Sequence, residues 1–177
     1  MNKAVFFDRD GVLNDVCSKN KNLGPPKTLS DLIILNGVED SVSKIKLAGF
    51  YTVVVTNQPD VSRGTISKKA VIEINNYISN LLKLDKVLTC FSDDDNEPRR
   101  KPNPGMLLEA QKDFNLDFSK CFLLGDRAKD IEAGNACNCT TILVNAMDGE
   151  REKCLPDFHV EDIVKAAEII LRGNKND

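Results

Sequence analysis

Asp8 and Asp10 stand two positions apart, directly behind the apolar run Ala4-Val5-Phe6-Phe7 and just before Gly11. In extended backbone, side chains two apart point the same way. Both carboxylates would therefore project from the carboxyl end of a strand, the end at which open parallel sheets bind ligands. Two like charges held together repel, so the pair calls for a proton or a cation between them. A hard cation such as magnesium takes oxygen ligands and commonly accompanies phosphate. The matching chemistry is phosphoryl transfer. One carboxylate can attack as a nucleophile and form an aspartyl-phosphate. The other can protonate the leaving oxygen and then deprotonate the attacking water. Asp and Gly also make ordinary strand-ending turns, so the pair alone leaves both readings open. A calcium loop is excluded: counted from Asp8, the sixth and twelfth positions are Leu13 and Lys19, where glycine and glutamate are needed.

The elements that must hold these groups alternate short apolar runs with helical periods, the pattern of a parallel sheet covered by helices on both faces. After the first strand, Asp15 to Asn36 reads as a loop over the site. Val38, Val42, Ile45 and Leu47 repeat at helical spacing, and Gly49 stops the helix. Phe50 to Val55 reads as a second strand, followed by a polar loop from Thr56 to Gly64. Ser67 caps a helix reaching Leu84, with Ala70, Ile74, Tyr77, Ile78, Leu81 and Leu82 as its apolar residues. Val87 to Phe91 is a third strand, and Ser92 to Pro102 a charged loop. A helix follows with Pro104 at its first position, ending near Phe114. Cys121 to Leu124 and Thr140 to Val144 are the fourth and fifth strands, on either side of a helix from Ala128 to Cys137. Asp148 to Asp157 is loop, Glu161 to Leu171 a last amphipathic helix, and Arg172 to Asp177 a fraying tail.

Residues just past successive strands meet at one edge of a doubly wound sheet. That edge collects Thr56, Asn57 and Gln58 after the second strand, Arg99-Arg100-Lys101 after the third, and Asp126 after the fourth, with Asp130 four positions on. Thr56 can donate to a phosphate oxygen, and Lys101 can neutralise phosphate and nearby aspartates. Asp126 can complete a metal shell, and Asp130, one helical turn later, can orient Asp126 or the lysine. Taken singly, each also has an ordinary role as a cap, turn or solvated charge. Their recurrence at four strand ends favours one site.

Composition bounds the remaining classes. At 177 residues the chain suits one domain, 1–177, with a full core. The net charge of −3 gives no basis for nucleic-acid affinity. No apolar run reaches the length of a membrane span. Asp8 and Asp10 break the only N-terminal hydrophobic stretch, against a signal peptide, so a cytoplasmic protein is expected. Six cysteines in such a compartment are expected as thiols. Cys121 belongs to an apolar run, hence to the core. Cys137-x-Cys139 could bind a metal, but a zinc site needs four ligands and His159, at a surface or edge position, is the one histidine.

The motifs Asp8–Asn14 (DRDGVLN), Val53–Gln58 (VVVTNQ), Arg100-Lys101-Pro102 and Gly125–Asp130 (GDRAKD) occur in this order. The chain thereby resembles the haloacid dehalogenase (HAD) superfamily of aspartate-nucleophile phosphatases, from Lys3 to Val144. The resemblance implies a doubly wound, Rossmann-like three-layer α/β sandwich. Asp8 would be the nucleophile, Asp10 the acid/base, and Thr56 and Lys101 phosphate ligands. Mg2+ would sit on Asp8, the Asp10 carbonyl and Asp126. Within the superfamily the motifs look like the subgroup of D-glycero-D-manno-heptose 1,7-bisphosphate phosphatase and the histidinol-phosphatase domain. Asn14, Asn57, Gln58, Arg63 and Arg100 would then hold a small sugar phosphate, with no large cap domain and the chain acting as a monomer. The heptose bisphosphate is the expected substrate, yielding the 1-phosphate. Histidinol phosphate or another monophosphate is the enzymatic alternative, and a receiver-like phospho-switch the alternative of another class. The chain departs from the subgroup in two places. Asp93 to Pro98 lacks the usual cysteines and histidine, so no zinc is expected. Pro59-Asp60 replaces the usual Ser-Gly beside the substrate.

Overall fold

Four consecutive apolar residues, all buried, form β1 (Ala4–Phe7) at the centre of the sheet. The computed structural model describes residues 1–16, 24–146 and 149–173. The elements that follow are α1 (Val38–Leu47), β2 (Tyr51–Asn57), α2 (Lys68–Leu82), β3 (Lys86–Cys90), α3 (Gly105–Phe114), β4 (Phe122–Gly125), α4 (Ala128–Ala136), β5 (Thr140–Val144), β6 (Phe158–Val160) and α5 (Ile163–Gly173). Every strand pairing is parallel, in the order β3-β2-β1-β4-β5-β6. The chain thus reverses its winding between β1 and β4, and a crevice opens past the carboxyl ends of those two strands.

Alternation along β1 divides the core. Val5 and Phe7 face a cluster that includes Val42 and Ile45 of α1, Ile74 and Ile78 of α2, and Ile163 and Ile170 of α5. Ala4 and Phe6 face Met106, Leu107 and Ala110 of α3 and Ala133 of α4. This is the three-layer sandwich expected from the alternating pattern. Among the described residues, no helix is long and apolar enough to cross a membrane.

Several local expectations need correction. Among the described residues there are six strands rather than five: β6, three residues long at the sheet edge, lies just ahead of the last helix and carries His159. β2 starts at Tyr51 rather than Phe50 and runs on through Thr56 and Asn57, which are therefore strand residues rather than loop. The third strand is Lys86–Cys90 and the fourth Phe122–Gly125. α2 ends at Leu82, its cap Lys83 being left-handed at φ 51°. Pro104 precedes α3 as its N-cap. Leu47 and Tyr77 are exposed at 85% and 47%, so neither belongs to the core. Short 3-10 turns interrupt the two long loops, at Leu29–Asp31 and Arg151–Lys153. The loop expected between Asp15 and Asn36 includes 17–23, with Cys17, which lie outside the described residues, as do 147–148 and the tail 174–177.

Candidate active site

The turn leaving β1 is fixed by the backbone before any side chain acts. The Asp8 N–H donates to the Leu124 carbonyl of β4, Leu13 N–H to Arg9, and Gly11 N–H to Asn14. Gly11 has φ +89°, and a Cβ there would lie 2.3 Å from Asp126 Oδ2, so only glycine lets Asp126 approach this turn. Gly125 does the same for Asp130, whose Cβ would lie 2.1 Å from a Cβ on the glycine.

Three carboxylates meet at the crevice. Oxygens of Asp8, Asp126 and Asp130 all lie within 4.8 Å of one another, and all three residues are buried. Facing them is one ammonium. Lys101 Nζ lies 2.7 Å from Asp8 Oδ1, 2.6 Å from Asp130 Oδ1 and 2.6 Å from the Val55 carbonyl, which uses all three of its protons. Burial opposes the charge on Lys101, yet Asp130 and Asp8 outweigh it and push its pKa up. Burial pushes the Asp8 carboxyl up to about 6, against the pull of Lys101 and with repulsion from Asp130 and Asp10. Asp126 is pushed up to about 8 by burial and by repulsion from Asp8 and Asp130.

These features fit a divalent oxygen-seeking cation. The donors are all oxygens, and three carboxylates face one ammonium, so a dication brings the cluster to neutrality. Asp126 Oδ1 is buried without a hydrogen-bond partner. Asp130 is already engaged, through Oδ1 by Lys101 and through Oδ2 by the Arg127 N–H at 3.2 Å. Asp8 and Asp126 are left as the carboxylates with oxygens to offer.

Asp10 is held separately. Arg9, fully buried, reaches both of its oxygens through Nη2, at 3.0 and 2.9 Å. Asn14 Nδ2 donates to Asp10 Oδ1 at 2.9 Å, and Gln58 Nε2 to Oδ2 at 2.7 Å. The same Gln58 amide nitrogen lies 2.9 Å from Thr56 Oγ1, which leaves the buried hydroxyl its own proton to donate. Asn14 Oδ1 and Gln58 Oε1 are buried without partners.

The cleft above these groups has a volume of about 300 Å³. Asp8, Asp10, Asn57, Gln58, Arg63, Arg100, Lys101 and Asp130 line it, so most sequence-predicted site residues converge. Their contacts differ from the simplest expectation. Asn57 clamps the Lys101 backbone, donating to its carbonyl at 2.9 Å and accepting its N–H at 3.1 Å. The three basic residues of the 99–101 run diverge: Arg99 pairs with Glu109 of α3, Arg100 with Asp95, and Lys101 alone enters the carboxylate cluster. Cys121, Cys137 and Cys139 are buried free thiols of the core, pushed above the usual thiol range by burial.

Sequence reasoning passed over Arg9 and Asn75. Arg9 Nη1 donates to Asn75 Oδ1 at 2.8 Å, and Asn75 Nδ2 to Thr89 at 2.9 Å. The signal was present: Asn75 is a polar residue on the stripe Val71, Ile74, Ile78 of α2, and a polar group in that position needs a buried partner. Glu150, which accepts the Ala128 N–H at 2.9 Å and caps α4 beside the cleft, left no such signal.

Comparison with known proteins agrees with this geometry. Residues 98–166 match the HAD-hydrolase-like family model. The D-glycero-alpha-D-manno-heptose-1,7-bisphosphate 7-phosphatase of Burkholderia mallei is 32% identical, over 85% of this chain and 84% of its own. The D-glycero-beta-D-manno-heptose-1,7-bisphosphate 7-phosphatase of Haemophilus influenzae is 30% identical, over 99% and 100%. Among solved structures, the D,D-heptose 1,7-bisphosphate phosphatase of B. bronchiseptica, complexed with magnesium and phosphate, superposes with a TM-score of 0.82 at 26% identity, covering 98% of this chain and 99% of that one.

Proposed function

The chain belongs to the HAD-like phosphatases, and from that premise we propose that it removes the C7 phosphate of D-glycero-D-manno-heptose 1,7-bisphosphate with Mg2+, leaving the 1-phosphate. The observation that carries the reading is the position of Lys101, shared between Asp8 and Asp130 within the carboxylate cluster.

Asp8 attacks phosphorus, forming an aspartyl-phosphate as the bond to the sugar oxygen breaks. Asp10, two residues on, gives that oxygen its proton and then takes one from water. The water attacks the phosphoaspartate at phosphorus, which frees inorganic phosphate and restores Asp8. Lys101 keeps Asp8 oriented and balances charge on the phosphoryl oxygens, and the Thr56 hydroxyl donates to one of them. Arg9, Asn14 and Gln58 hold the Asp10 carboxylate where it meets the leaving oxygen. Asp8, Asp126 and the Asp10 carbonyl would hold the magnesium, which when bound supplies positive charge to the phosphoryl oxygens. Asn57 acts through the Lys101 backbone, while Arg63 and Arg100 face the rest of the sugar phosphate.

The same reading takes 1–177 as one hydrolase domain, monomeric and cytoplasmic. It includes no structural zinc. Ser92 to Pro98 has neither cysteine nor histidine, and its backbone is instead tied by Asn103, whose Nδ2 donates to the Asp95 and Glu97 carbonyls at 2.9 and 3.0 Å.

Phosphate release from both anomers of the heptose bisphosphate, from histidinol phosphate and from simple sugar monophosphates, with and without Mg2+, tests the proposal. The highest kcat/KM is expected for a heptose bisphosphate, with Mg2+, and Asp8→Asn should abolish turnover. Preference for a monophosphate overturns the substrate, and substantial turnover by Asp8→Asn overturns the covalent route.

A further inference from the structure

The cations that line the outer cleft already have carboxylate partners inside the chain. Arg100, almost wholly buried, donates through Nε to Asp95 Oδ1 at 3.0 Å and through Nη1 to the Ser92 carbonyl at 3.0 Å. Lys129 Nζ lies 3.9 Å from the same Asp95 oxygen. Arg63 lies 3.5 Å from Asp93 and 3.8 Å from Asp60. Arg63, Arg100 and Lys129 all line the cleft, whereas Asp95, which contacts two of them, is not among its lining residues. The loop carrying Asp95 is not loose. Asn103 holds it at two carbonyls, Asp94 Oδ1 accepts the Asn96 N–H at 2.9 Å, and the Arg100 N–H donates to the Glu97 carbonyl.

We propose that Asp95 is a specificity-determining residue, an internal counter-ion that competes with a second phosphate group for Arg100 and Lys129. The inference rests on the phosphatase reading above. The phosphoryl group being transferred sits at Asp8 and Lys101, whereas the contacts of the Asp95 carboxylate are with Arg100 and Lys129. A second anionic group on the same substrate extends to the rim, where it must share cations that Asp95 already holds. The hydrogen bond from Arg100, and the nearby Lys129, keep the Asp95 carboxyl below the usual carboxylate range, so the counter-ion is charged at neutral pH. Asp95 is itself 78% exposed, so its competition is screened and its effect is modest rather than absolute. In this way the loop sets how strongly the enzyme favours doubly over singly phosphorylated sugars, without touching the reacting atoms.

Asp95→Asn keeps the acceptor oxygen for Arg100 and removes only the charge. With the heptose 1,7-bisphosphate and the corresponding 7-phosphate as paired substrates, the variant should lower KM for the bisphosphate about two- to fivefold without moving kcat. The bisphosphate-to-monophosphate ratio of kcat/KM rises by the same factor. Asp113→Asn removes an equal charge beside Lys86, at the amino end of β3 and so at the opposite edge of the sheet, and should leave the ratio alone. An unchanged or falling ratio for Asp95→Asn, or an equal rise for Asp113→Asn, overturns the inference. If the wild-type enzyme turns over neither sugar, the substrate reading fails on its own. Calorimetry with inorganic phosphate and pyrophosphate then decides the counter-ion: Asp95→Asn should tighten pyrophosphate about two- to fivefold more than phosphate, and equal effects refute it.

Discussion

Lys101→Met tests whether the carboxylate cluster depends on its one ammonium. The substitution preserves the length and apolar stem of the side chain and deletes three contacts, to Asp8, Asp130 and the Val55 carbonyl. Lys101 is 2% exposed and Asp130 4%, so little water reaches their contact to replace what is lost. Breaking a buried pair by removing one partner costs about 3–5 kcal/mol, because the remaining charge is left uncompensated. In urea, with EDTA present, that loss should move the unfolding midpoint down by about 1–3 M. The decisive measurement is the cycle with Asp130→Asn. If the cost of Lys101→Met is chiefly the stranded carboxylate, neutralising Asp130 in the same molecule restores part of it. The double variant should then be more stable than the sum of the single losses by about 1–3 kcal/mol. Losses that add within about 0.5 kcal/mol would show that Lys101 and Asp130 act independently, which refutes the coupling inferred from their 2.6 Å contact.

Asp10→Asn should lower kcat about 10²- to 10⁴-fold in saturating Mg2+, since the acid/base is gone while Asp8 and Lys101 remain. A phosphate-release assay showing a change in KM alone would contradict that role. Asp85 gives a structural pH prediction at the other end of the sheet. Its Oδ2 accepts from the Thr52 N–H at 2.8 Å, the Thr52 hydroxyl at 2.9 Å and Lys46 Nζ at 3.0 Å. Burial works against the charge, yet these donors hold the carboxyl below its ordinary value. Its contribution is therefore fully present above the unfolded pKa near 4 and is lost as pH falls through the folded value. Asp85→Asn should cost about 1 kcal/mol at pH 7, with the gap to wild type closing in acid unfolding as pH falls through the lowered folded value. A gap that persists there would mean that packing, not charge, is what the substitution removed.

What could be seen in the sequence was what chain geometry alone determines. Four apolar residues followed by two acids place Asp8 at a strand end whatever the rest of the chain does, and the 3.6-residue repeat of α1 and α2 locates their buried faces. The carboxylate cluster follows, because Asp8 and Asp126 end the strands on either side of the winding reversal. Choices between equally placed partners were not legible. Arg99, Arg100 and Lys101 are adjacent basic residues, and nothing local says that one serves α3, one the loop at Asp95 and one the cluster. That sorting comes from the closed loop, in which Asn57 clamps the Lys101 backbone and thereby sends its side chain inward. β6 was missed for a related reason. Its three residues are mostly exposed and carry no apolar run, and they become a strand only because β5 offers an unpaired edge. Arg9 shows the limit most clearly: between two acids it reads as a surface charge, yet burial turns it into the group that holds Asp10 and reaches α2 through Asn75. The reacting groups were thus written in the spacing of the chain, while the residues that aim them are specified by tertiary contacts.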